Sequence, residues 1–528
     1  MKLFRNLLLL LVGFALPVLA QQAPPPAAAR WWHETTALAN DFMEGRDTGT
    51  EAYERAAKYV AANFAASGLK PAGDNGTFFQ RVPMQEVDLD IAHSSVEIEI
   101  ARGDAGSLLQ LKLLEQVTLQ PSEALPLNTR AEMVFIGYGA DSASPGLDLH
   151  GCVAVYFAGV PSGLSPADRQ GFAAQRAQRL ANSGAVAVVA ILNPSDIEPF
   201  HWPAAYARSV TLSSGTHAAP AVNKHALRIS ADAAPTLFQA SGHDFAAILS
   251  DGEHGLPLPS LDLKAVLRLH LETTAKEISS PNILAILPGS DPTLAPEFVA
   301  LSAHLDGYGF GTPVLGDRLY NGALDDAAYV ATLLELARTQ AALPPAQRLR
   351  RSLLFCIFTG EEKGLLGSAY FTQHPTVPIA SIVADLNLDQ LRPIFPLKIL
   401  TMEGIADSTL GDSARTVAGK YGIELRPDAE PERNLFRRAD NYNFVRVGVP
   451  IASFIFGYNR GTPEEATYRD WYARRYHKPQ DDLSTPIDWQ AAVTFNDFFR
   501  DLTRAVANGP HRPQWLPSSP SRPQSSPK

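Results

Sequence analysis

The sequence predicts an α/β protein on an at least partly parallel sheet, with a separate β-rich module set into it. Three observations carry this. After Ile278, short apolar strand candidates alternate with helical stretches, the pattern of an α/β sheet. Between residues 116 and 265 that pattern gives way to closely spaced β-rich runs around one helical stretch. The chain has 528 residues, 45% apolar and 19% charged, which is ordinary for globular proteins and long enough for two or three domains.

Taken in order, the N-terminus reads MKLFRNLLLLLVGFALPVLAQQAPPP. Lys2 and Arg5 precede an apolar stretch, and Val18-Leu19-Ala20 forms a small-residue cleavage pattern before Gln21. This predicts a signal peptide over residues 1–20 and an exported mature chain, periplasmic or secreted. The apolar run is short for a membrane span, and no later segment is long and apolar enough to cross a bilayer. Residues 21–30 (QQAPPPAAAR) read as a linker, and 510–528 as a disordered Pro/Ser-rich tail. Residues 31–115 form an N-terminal part of the core. There Tyr53, Ala57, Val60, Ala61 and Phe64 recur at helical spacing and Gly68 supplies a C-cap.

In the module at 116–265, AEMVFIGYGA, GCVAVYFAGV and GAVAVVAILNP read as strands and FAAQRAQRLANSG as a helix. Across 266–509 the strand candidates are NILAILPG, FVALSAHLDG, SLLFCIFTGEE, SIVADLNLD, LKILTM and VPIASFIFG. DDAAYVATLLELARTQAAL is the clearest helix, opened by two aspartates that suit a helix N-terminus. The two cysteines, Cys152 and Cys356, exclude a disulfide scaffold and leave one pairing between them open. A net charge of −10 and the lack of any Lys/Arg-rich block argue against a nucleic-acid partner.

Ligands of an α/β sheet sit beyond the carboxyl ends of its strands. The polar residues there are distinctive. One strand delivers His304 and Asp306, the next loop Asp325 and Asp326, and a third segment Glu361 and Glu362. A fourth delivers Asp389, and RRYHKPQDDLST brings His477. Each signal alone is weak: paired aspartates more often cap a helix, and paired glutamates usually face solvent. Together, two histidines and several carboxylates without cysteine make a ligand set for zinc-like ions at a hydrolytic site. Adjacent carboxylates such as Glu361 and Glu362 also repel unless a cation lies beside them.

The set SAHLDG, GALDDAA, FTGEEKGLLGS, NLD and YHKPQDDL resembles the M28 family of metallopeptidases. LANDFMEGRDTGTEAYERAAKYVAANFAASGLKPAG, NILAILPGSDP and FRRADNYNFVRVGVP extend the resemblance over most of the mature chain. It implies a three-layer α/β/α zinc-peptidase core with a mixed, largely parallel sheet, and a protease-associated (PA) domain inserted at 116–265. It implies two divalent metal ions, zinc in this family, and peptide substrates. Asp325, fourth counting from Gly322, would bridge the ions. Glu362 and His477 would complete one ion's ligands, and His304 and Asp389 the other's. Asp306 would hold the free nitrogen of His304, and Glu361 would be the general base for the attacking water. Where the family often has Ser-Asp-His this chain has Ala439-Asp440-Asn441, a loop near substrate in relatives, so Asp440 and Asn441 bear on specificity.

The leading expectation is therefore an exported exopeptidase of the aminopeptidase type. A carboxypeptidase acting on acidic dipeptides would need cationic groups for a substrate carboxylate, and Arg433, Arg437 and Arg438 are candidates. A glutaminyl cyclase would use one metal, and the full ligand set and inserted module count against it. A receptor-like binding protein on the same scaffold is disfavoured by the presence of all five ligands and the base. Metal content and a panel of aminoacyl and dipeptide substrates separate the four.

Overall fold

The computed structural model describes residues 23–100, 107–139, 148–192, 207–213, 224–239 and 241–522. The expected signal peptide lies outside them. Two large sheets organise the chain. The ten-stranded one runs in the order Glu424–Arg426, Ile399–Glu403, Ile451–Gly457, Ile382–Asn387, Phe298–His304, Ser352–Phe358, Thr273–Leu287, Phe79–Leu89 and Arg208–Leu212, with Lys70–Pro71 paired beside Thr273–Leu287. Four central strands, Ile451–Gly457 to Ser352–Phe358, are parallel and flanked on both sides by antiparallel pairings, while the edge pair Ile399–Glu403 with Glu424–Arg426 is parallel again.

The apolar run at Ser352–Phe358 shows why this is a three-layer core. Leu353, Phe355 and Ile357 pack into one apolar cluster, with Trp31, Tyr53, Phe64, Tyr329 and Phe495 from helices on that face. Leu354, Cys356 and Phe358 pack into another, with Phe371 and Phe444. A strand covered by helices on both faces has no reason to alternate with polar residues. Both cysteines are free.

The second sheet has eight strands, in the order Ser107–Leu111, Ser95–Ile100, Ser260–His270, Asn128–Ile136, Val153–Phe157, Ala187–Ile191, His225–Ile229 and Val117–Leu119, with its own apolar core. Its extent corrects the expected boundaries. Strands Ser95–Ile100 and Ser107–Leu111, placed in the N-terminal core by sequence, belong to this sheet. Strand Arg208–Leu212, inside 116–265, instead pairs with Phe79–Leu89 at the edge of the main sheet. The module is thus an excursion between Leu89 and Thr273, which face each other in one antiparallel pair.

Three further expectations are corrected. The linker at 21–30 already contains the start of helix Pro26–Ala39, because proline suits a first helical position. The tail expected from 510 onward packs on the core as far as it is described. Trp515 donates its indole N–H to the Gly448 carbonyl at 2.9 Å, and Arg512 donates to Ala380 O at 2.5 Å. Asp325 and Asp326 do not open the helix, which runs Ala328–Ala341. They occupy the preceding turn with non-helical dihedrals, and so present both carboxylates inward. Among the described residues, no helix is long and apolar enough to cross a membrane.

Candidate metal centre

The parallel strands end side by side, and their carboxyl ends bring the expected residues together. His304 ends Phe298–His304, Glu361 and Glu362 follow Ser352–Phe358, and Asp389 follows Ile382–Asn387. His477 arrives from the segment after helix Pro463–Arg474, with φ of +54° and its ring stacked 3.6 Å from that of Tyr476.

Asp325 lies at the middle. Its Oδ1 is 3.2 Å from His304 Nε2, and its Oδ2 is 3.4 Å from His477 Nε2. Asp389 Oδ1 is 4.0 Å from His304 Nε2, and Glu362 Oε2 is 3.5 Å from His477 Nε2. Ligand-capable atoms of His304, Asp325 and Asp389 lie within 4.8 Å of one another, as do those of Asp325, Glu362 and His477. Asp325 alone belongs to both sets.

The turn that carries Asp325 is held from three sides. Gly322 has φ of +59°, and a Cβ there would come 2.4 Å from the Asp325 carbonyl oxygen. Asp481 accepts the N–H groups of Leu324 and Asp325, each at 3.0 Å. Arg46, fully buried, donates to the carbonyls of Leu38, Leu305, Asn321 and Gly322. Neither Asp481 nor Arg46 stands out in the sequence as part of the site. Their only sequence signals are the DD after His477 and the GR of MEGRDTGT.

The role expected of Asp306 is corrected. The nearer partner of His304 Nδ1 is the Asp306 main-chain carbonyl, at 3.1 Å, and the carboxylate is 3.8 Å away. That carboxylate instead accepts the N–H of Glu361 at 3.1 Å, the N–H of Glu362 at 3.2 Å and the Thr48 hydroxyl at 3.0 Å. A buried carboxylate has four lone-pair sites to satisfy, and the glutamate turn offers donors where the imidazole offers one. Asp306 therefore fixes the turn of the two glutamates. Asp440 and Asn441 are both buried. Asp440 lies within electrostatic reach of His304 and Asp389, and Asn441 turns its amide to the Phe436 carbonyl.

Burial, opposed by His477 and reinforced by Asp325, pushes Glu362 up to about 7. Burial pushes Asp389 up to about 6 despite His304. Burial works against charge on His304, yet Glu361, Asp325 and Asp326 outweigh it and hold its pKa well above the usual histidine range. Two of the buried carboxylate oxygens, Asp325 Oδ2 and Asp389 Oδ1, accept no hydrogen bond from the described residues. Imidazole nitrogens and carboxylate oxygens thus crowd one small pocket with acceptors in excess of donors. The two overlapping ligand sets fit a pair of divalent cations sharing Asp325, and the nitrogen–oxygen mix without sulfur suits zinc.

Residues 282–503 match the family model for peptidase family M28. The chain is 26% identical over 193 residues to aminopeptidase YwaD of Bacillus subtilis, and 26% identical over 196 residues to probable leucine aminopeptidase 2 of Aspergillus fumigatus. Each alignment covers 36% of this chain and 36% of the relative, so the match spans about a third of the curated relatives' length. The solved aminopeptidase from Aneurinibacillus sp. strain AM-1 has the same fold, with a TM-score of 0.58 at 19% identity over 92% of this chain and 95% of that one. So does BSAP, a zinc aminopeptidase from Bacillus subtilis, with a TM-score of 0.56 at 17% identity over 93% and 98%. Over residues 282–503, where all five candidate ligands lie, this chain carries a domain of peptidase family M28.

Proposed function

We propose that the protein is an exported dinuclear metallo-aminopeptidase that removes N-terminal residues from peptides. The observation that carries the reading is Asp325, shared by two ligand sets with Glu361 beside them. His304 and Asp389 would hold one ion and Glu362 and His477 the other, with zinc supported by the donor set and by the zinc aminopeptidase of the same fold. Bound there, divalent cations polarise a carbonyl oxygen and lower the pKa of water toward about 7.

The chain's own residues do the rest. Among the described residues the Glu361 carboxylate makes no hydrogen bond or ion pair, so it is available to receive the attacking water's proton and return it to the leaving nitrogen. Such a step contributes roughly a hundred- to ten-thousand-fold. Asp306 keeps that carboxylate in place through the Glu361 N–H. The surplus of carboxylates favours a free ammonium end of a peptide over a carboxylate end. The inserted module shapes access: its helix Pro166–Asn182 lies against the turn Pro431–Arg433. Export rests on the leader over residues 1–20, and the N-terminus of the secreted protein should be Gln21.

The test is hydrolysis of a peptide panel by metal-loaded protein, with free and acetylated N-termini. Acetylation should block cleavage, a chelator should abolish it, and elemental analysis should approach two ions per chain. Cleavage of an acetylated peptide from its C-terminus would overturn the aminopeptidase reading. Full activity with a single tightly bound ion would overturn the dinuclear one.

A further inference from the structure

The two histidines of the centre are held in different ways. His304 has its Nδ1 against the main-chain carbonyl of Asp306, which every side chain at that position would provide. His477 has its Nδ1 3.2 Å from the hydroxyl of Tyr308. That same hydroxyl donates to Glu362 Oε2 at 2.6 Å. Tyr308 is buried, its ring packs edge-on to His477 with centroids 4.7 Å apart, and Lys363 Nζ sits 5.7 Å from the ring centre.

A phenol has one proton. Where it is given to Glu362, the oxygen can only accept, and its hydrogen bond with His477 then requires the hydrogen on Nδ1. The lone pair of the neutral ring is then on Nε2, the atom facing Asp325 and Glu362. One hydroxyl thereby fixes the tautomer of one ligand and the orientation of the next. We propose that Tyr308 is the positioning residue of the Glu362–His477 half of the centre, setting its affinity for a divalent cation independently of the His304–Asp389 half. This rests on the two-ion reading above.

The test uses Tyr308→Phe, which keeps the ring and removes the hydroxyl. Zinc uptake by the full chain is titrated against a chromophoric chelator, with Glu362→Gln and Asp389→Asn identifying the two steps. In Tyr308→Phe the step sensitive to Glu362→Gln should weaken roughly 10- to 100-fold, the usual cost of removing such a supporting group. The step sensitive to Asp389→Asn should not move. In metal-free protein with nitrogen-labelled histidine, at a pH high enough to leave the ring neutral, His477 (assigned with His477→Gln) should show a protonated Nδ1 that becomes a tautomer mixture in Tyr308→Phe.

Equal weakening of both steps, no weakening, or an unchanged His477 tautomer would overturn the proposal. If the wild type takes up one ion only, the two-ion reading fails, and the tautomer comparison still decides the role of Tyr308. Should Tyr308→Phe not fold, fluorotyrosine placed at position 308 gives the same readouts, with the affinity of that one step following the acidity of the phenol.

Discussion

Glu361 and Glu362 share a turn whose two N–H groups are both held by Asp306, so their side chains leave in different directions. Glu362 meets Tyr308 and Nε2 of His477, and among the described residues the Glu361 carboxylate meets no donor. Glu361→Gln should keep metal content while kcat falls roughly a hundred- to ten-thousand-fold, with no rescue by added metal. Glu362→Gln should lower metal affinity and regain part of its activity at high metal concentration. Metal content and kcat of both variants check this, and the reverse pattern would exchange the roles. Arg46 allows a stability prediction. Three buried carbonyls and one half-buried one depend on its guanidinium, and an unsatisfied buried acceptor costs about 1–3 kcal/mol, not all of it additive. Arg46→Met should therefore cost on the order of 3–5 kcal/mol in chemical denaturation. Arg46→Lys should recover only part, since an ammonium has three donors and no planar fork.

At the level of elements, the strands of the main sheet were legible because LLFCIF and its neighbours are apolar on both faces. The ligands were legible because strand ends are where an α/β sheet keeps its chemistry. The supporting contacts were not. Whether Asp306 uses its carboxylate or its carbonyl, and that Tyr308 reaches His477, depends on side-chain directions that spacing does not encode. The edge of the module was hidden for another reason: Ser95–Ile100 alternates as a one-sided strand would in either sheet. A further element carries a pH prediction. Glu403 ends strand Ile399–Glu403, and burial, with Asp428 and Asp407 nearby, pushes it up to about 8 from an ordinary 4.5. Its proton is bound in both folded and unfolded chains below pH 4.5, and only in the folded chain between 4.5 and 8. The group's contribution is therefore fully present below pH 4.5 and is lost as pH rises through about 8, at about 1.4 kcal/mol per unit at most. Glu403→Gln should flatten that part of the stability profile and be the more stable form at pH 9, as read from denaturation midpoints.

For the whole molecule, the question is whether the second sheet is an independent guest. Cutting out 116–265 would leave Ser95–Ile100, with Ser107–Leu111 paired beside it, only residues 266–270 of the partner strand Ser260–His270, and would strip away the core that buries Val96, Ile98, Ile100 and Leu111. That deletion should aggregate. A better cut follows from the register. Leu89 pairs with Thr273, and the Asp90 N–H donates to the Glu272 carbonyl at 2.8 Å. Replacing 91–271 with Asn-Gly would close this pair as a two-residue hairpin. Among the described residues the main sheet would lose only its edge strand Arg208–Leu212, and none of the five candidate ligands lies in the removed segment. Three contacts of Arg208 would be lost near the site, one of them to the Thr48 carbonyl at 2.8 Å. Arg208 holds Asp47 at 2.8 Å and Glu86 as well, and Asp47 in turn pairs at 3.1 Å with Lys363, next to Glu362. Lys276 remains, 2.6 Å from Glu86, so one buried carboxylate keeps a cation while Asp47 keeps Lys363. The shortened protein should fold, melt at a lower temperature than the full chain, bind metal with unchanged stoichiometry and accept a different range of peptides. Elemental analysis, a thermal melt and the peptide panel read the three outcomes separately. A folded deletion without metal would mean that the module helps to build the centre, through Arg208 and Asp47, instead of only bordering it.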